Sequence, residues 1–144
     1  MKKFICMGLV ILMTIFCAVP VYAVEGTNGV KTKEGASPQF TYISFLDAGL
    51  AINSSGLATC AGDVTLYYNS YSTNMTVQLQ KSSGSGWSTI KTWTSSGTGI
   101  AGTDLEGYYY VVSGTYRVCT TANVYDPSGK LVEIQSAYSD NVTY

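Results

Sequence analysis

Met75-Thr76-Val77-Gln78-Leu79-Gln80-Lys81 alternates apolar and polar side chains without a break. A period of two puts Met75, Val77 and Leu79 on one face and Thr76, Gln78 and Gln80 on the other. That is the pattern of a β-strand with one side on a core and one in water. No apolar stripe of helical period occurs from Pro38 onward, so the surrounding chain is read in the same terms.

Downstream, Ser82-Ser83-Gly84-Ser85-Gly86 makes a loose turn before a fourth strand, Trp87–Thr94. After Ser95–Gly99 a less regular stretch leads to a fifth strand near Tyr108–Val112. The sixth strand is Thr115–Tyr125, with Tyr116, Val118, Ala122 and Val124 on one face. Asp126-Pro127-Ser128-Gly129 is a turn, because Pro presets φ and Gly accepts a positive one. A seventh strand covers Lys130–Tyr138 and extends toward Val142. Upstream, Tyr42–Ile52 and Leu57–Tyr68 flank the turn Asn53-Ser54-Ser55-Gly56, and Ala58, Cys60, Val64, Leu66 and Tyr68 share one parity.

Seven short strands separated by turns predict an all-β fold: an immunoglobulin-like or fibronectin-III-like antiparallel β-sandwich. Tyr116-x-Val118 near the start of the sixth strand has the form of a tyrosine corner. An antibody-type domain would carry Cys where Val118 stands and a Trp on the third strand, and this chain has neither.

The chain opens with Lys2-Lys3, the apolar run Phe4–Val19, Pro20 and Val21-Tyr22-Ala23. A basic start, an apolar centre and a small residue before the cut are the parts of a secretory signal peptide. Residues 1–23 are therefore expected to be cleaved, 24–37 to form a flexible leader, and 38–144 to form the sandwich. The expected location is secreted, with no membrane insertion after cleavage. Loss of Lys2 and Lys3 takes the net charge from −1 to −3, which argues against nucleic acid as a partner. A monomer is expected.

Cys6 and Cys17 leave with the signal, and Cys60 and Cys119 remain. Two cysteines in an oxidising compartment suggest one disulfide. Cys119, however, has the outward parity of its strand, so the bond requires a β-bulge near Thr120-Thr121. The alternative is two separate thiols.

The chain contains no His. That removes Ser-His-Asp and Cys-His catalysis and His-ligated metals. No cofactor or metal site is expected. A two-carboxylate hydrolase would have to use Asp104 and Glu106, which fall in the irregular stretch and are read chiefly as a solvated loop. Aromatic residues carry the stronger signal. Trp87 and Trp93 share a parity, and at least one ring of Tyr108-Tyr109-Tyr110 must face outward. Tyr and Trp favour binding surfaces, so these five are the candidate ligand contacts; the competing reading is that one Trp is core and the other shields a strand edge.

Three segments carry a resemblance: GLATCAGDVTLY (56–67), TVQLQKSSGSGWSTIKTWT (76–94) and GTYRVCTTANVYDPSGKLVE (114–133). They resemble an uncharacterised family of small secreted proteins of Gram-positive gut bacteria. The resemblance implies an immunoglobulin-like sandwich and no established catalytic residues. The expected function is a non-enzymatic module binding a surface glycan or protein. The alternatives are an envelope or matrix component that associates through strand edges and, less favoured, a small hydrolase.

Overall fold

A computed structural model describes Phe40–Tyr144. The expected signal peptide, the leader, Cys6 and Cys17 lie outside the described residues. Eight strands follow in order: β1 (Ile43–Ile52), β2 (Leu57–Leu66), β3 (Ser72–Ser82), β4 (Trp87–Thr98), β5 (Thr103–Tyr110), β6 (Thr115–Tyr125), β7 (Leu131–Tyr138) and β8 (Val142–Thr143). A single 3-10 turn, Gly99–Ala101, joins β4 to β5. No helix among the described residues is long and apolar enough to cross a membrane.

The strands form two antiparallel sheets. One is three-stranded in the order β1-β2-β5, and the other runs β4-β3-β6-β7 with β8 also paired to β6. β4 sits beside β3 and not beside β5, unlike the constant-type immunoglobulin arrangement. This is the fibronectin-III-like of the two expected layouts. Alternation along the strands explains the layering. Ala58, Cys60, Val64 and Leu66 of β2 meet Met75, Val77 and Leu79 of β3 and Val118, Ala122 and Val124 of β6 in one core.

Two glycines let the sheets approach. A Cβ on Gly62 would lie 2.5 Å from Val77 Cγ2, and one on Gly107 would lie 2.4 Å from the Trp93 indole. The tyrosine corner is present: Tyr116 is buried, and its hydroxyl donates to the Val112 carbonyl at 2.5 Å. Lys81 Nζ stands 5.5 Å from the centre of the same ring and donates to the Ser113 carbonyl.

The disulfide is corrected: Cys60 and Cys119 are free. β6 pairs with β3 in continuous register from Tyr125 to Tyr116, so no bulge rephases Thr120-Thr121. Cys60 therefore faces the core, while Cys119 lies on the outer side of the other sheet beside Gln78 and Tyr138.

Strand boundaries also differ from expectation: β3 begins at Ser72 and not at Met75, β4 runs on to Thr98, and β5 stops at Tyr110 and not at Val112. β5 begins at Thr103, so Asp104 and Glu106 belong to a strand and not to a loop. β2 ends at Leu66, which leaves Tyr68 in the following turn, its ring 5.5 Å from Tyr71 and 6.3 Å from Tyr42. Val142 does not prolong β7 but pairs with Tyr116 as β8.

Candidate functional site

β4 decides where the two tryptophans go. Leu79 pairs with Lys91 but Gln80 pairs with Thr89, so Ile90 is an extra residue in β4. One extra residue reverses the phase of a strand. Trp93 pairs with Val77 and packs on the core. Trp87 lies on the opposite, outer face, with the Arg117 guanidinium 4.3 Å from its ring centre. The Tyr138 ring covers the same guanidinium at 4.4 Å, and Arg117 Nε donates to Gln80 Oε1 at 2.9 Å. The shared parity expected for Trp87 and Trp93 is thus overturned. Trp93 is partly buried against the core and Trp87 is half of a cation–π stack on the outer face.

Tyr108, Tyr109 and Tyr110 end β5, an edge strand, and all three are exposed, at 58%, 38% and 70%. With Leu57 of β2 they line an open concavity of about 450 Å³. Tyr108 is fixed in direction, because its hydroxyl donates to Glu106 Oε1 at 2.6 Å. That bond to a carboxylate raises the phenol's pKa, since the phenolate would lose the bond and face a like charge.

The outer face of the three-stranded sheet continues from this patch. Register places Asp47, Asp63 and Asp104 in one row across β1, β2 and β5. The next row is Gly49, Ala61 and Glu106, and the one after it Ala51, Thr59 and Tyr108. Gly49 and Ala61 leave a shallow floor, a depression of about 250 Å³ rimmed by the four carboxylates. None of these three strands contributes a Lys or Arg. Partial burial pushes the Asp63 carboxyl above the usual carboxylate range, and Asp104 and Asp47 add to this. Among the described residues, no three carboxylates or thiols converge to hold a metal ion. Asp104 and Glu106 lie on the same face of one strand, two residues apart.

The five aromatic candidates are thus not one site. Tyr108, Tyr109 and Tyr110 are together on β5, while Trp93 and Trp87 are on β4 of the other sheet, Trp93 turned to the core and Trp87 to the outer face. The acidic row was missed from sequence because it exists only through strand register. The outward parity of Asp47 and Asp63 was the one signal that pointed to it.

No family model matches the chain, and no curated protein matches it. Among solved structures, the chain is similar to the solution structure of R. palustris CsgH. That similarity has a TM-score of 0.39 at 17% identity and covers 66% of this chain and 89% of that one. The likeness is distant.

Proposed function

We propose that this protein is a secreted, non-enzymatic recognition module that contacts a surface glycan or protein through the outer end of β5. The observation that carries this reading is the exposure of three consecutive tyrosines on one edge strand around an open concavity. Large exposed aromatic groups contribute nothing to the core, yet they supply much area at little conformational cost when they meet a partner. Tyr108 is already oriented by Glu106, which lowers the cost of binding further.

The test is a glycan array together with a pull-down from the cell surface, using the mature chain and a Tyr108→Ala, Tyr110→Ala variant. The reading expects at least one ligand that the variant loses while its thermal unfolding is unchanged. Two empty screens, or a ligand the variant retains, would overturn it.

A further inference from the structure

The outer face of the larger sheet is almost without charge. The row beside Gln80 and Arg117 is Thr92, Gln78, Cys119 and Tyr138, and the row after it carries only hydroxyl side chains. Among the described residues that register places on this face, Arg117 alone is charged. Its surroundings hold it still. Trp87 comes from β4 and Tyr138 from β7, on opposite sides of β6 in the sheet order, and both rings stack on the guanidinium. Arg117 Nε donates to Gln80, whose own amide nitrogen donates to Gln78 Oε1 at 3.5 Å.

The faces and one edge of the guanidinium are thus engaged. Its terminal nitrogens carry the remaining donors, and they make no hydrogen bond among the described residues. Asp140, two residues past Tyr138, is bonded through its backbone carbonyl to Ser139 Oγ and not to Arg117. A guanidinium held flat between rings keeps its planar fork ready for a carboxylate, which it takes with two parallel N–H···O bonds. The side-chain freedom that weakens such a pair on an open surface is already lost here. The acidic row lies on the outer face of the other sheet, so the two sides of the sandwich differ in the charge they accept.

We infer that Arg117, with Trp87 and Tyr138, is a carboxylate-binding site for an acidic saccharide. It is a second site, separate from the β5 patch and independent of that reading. β3 and β6 are interior strands, paired on both sides. A peptide laid across them gains none of the main-chain hydrogen bonds by which extended peptides are captured. A sugar needs none. The face offers it hydroxyl and amide side chains for its hydroxyls, and a partly exposed Trp87 and an exposed Tyr138 for its apolar C–H surface. A contact this small binds with a Kd of roughly 1 mM. The washes of an array or a pull-down remove such a ligand, so the two sites are read by different experiments.

A chemical-shift titration of the mature chain with glucuronate, with glucose and acetate in parallel, tests this. Glucuronate should give saturable shifts at the Arg117 Nε–H, the Trp87 indole N–H and the Gln80 amide. Its Kd should lie about tenfold below that for glucose or for acetate. These shifts are read on the parent and depend on no variant's folding. Arg117→Lys keeps the charge but not the fork, and should weaken glucuronate about tenfold. Lys91→Gln, which removes an exposed cation from β4 of the same sheet, should bind like the parent. The absence of saturable shifts at the three groups overturns the proposal, and so does full binding by Arg117→Lys. An equal response to glucose removes the carboxylate from the reading, and an equal response to acetate removes the saccharide; either overturns it.

Discussion

Replacing Trp93 by Ala separates the observed phase of β4 from the one that simple alternation implies. An indole covers roughly 150–250 Å². Most of Trp93 is covered by the core and by the space Gly107 leaves open. At ~25 cal/mol per Å² its loss costs about 3 kcal/mol before any cavity contribution. For a domain of this size that lowers the melting temperature by roughly 10–20 °C. Trp87→Ala removes a partly buried ring that rests on Arg117 on the outer face and not on the core, and should cost less, about 1 kcal/mol for the cation–π contact. Thermal unfolding followed by circular dichroism reads both losses. Trp93 fluorescence, isolated in Trp87→Phe, should be blue-shifted relative to that of Trp87, isolated in Trp93→Phe. Equal destabilisation by the two Ala variants, or a larger effect at Trp87, would refute the assignment of Ile90 as the extra residue.

Four further outcomes follow from particular contacts. Tyr116→Phe keeps the ring but strands the Val112 carbonyl, and should cost about 1–2 kcal/mol in denaturant unfolding. Thr120 is buried with no partner for its hydroxyl, so Thr120→Val should stabilise by about 1 kcal/mol; a loss of stability would show that the hydroxyl is bonded. Neither cysteine should react with a thiol reagent in the native state, and both should react after unfolding. Burial pushes the Cys60 thiol up to about 12, and an intact mass showing a disulfide would contradict the fold's phase at Cys119. Asp63 titrates above the usual carboxylate range because of burial and then its Asp104 and Asp47 neighbours. The folded state therefore holds that proton more tightly than the unfolded state, and ionised Asp63 destabilises at neutral pH. Asp63→Asn should be more stable than the parent at pH 7, and the gain should shrink as pH falls through the raised folded value and vanish below about 4.

What the sequence disclosed was local. β6 was placed residue for residue, and the tyrosine corner was read correctly, because both depend on alternation and on a spacing within a few positions of Tyr116. The charged and polar turn at Asp126 was equally plain: Asp126 Oδ1 accepts from Ser128 N, Ser128 Oγ and Lys130 N. Hydrogen bonds to the ionised form also hold its carboxyl below the usual range. Features that need two strands at once were not legible. Ile90 looks like any other residue of an alternating strand until β3 supplies the register. Asp47, Asp63 and Asp104 are isolated residues until pairing aligns them. The start of β5 was masked by Gly99 and Gly102, whose turn made the residues after it look irregular. Cys119 misled for the opposite reason: composition favoured a disulfide, while parity, which proved right, did not.

The most direct test of the recognition reading is an amide chemical-shift titration of the mature chain with the ligand recovered from the array or pull-down. The account predicts perturbations concentrated on Thr103–Tyr110 and on Leu57–Ala61 of the neighbouring strand, fading in Tyr108→Ala. Perturbations concentrated instead around Trp87, Arg117 and Tyr138 would contradict it.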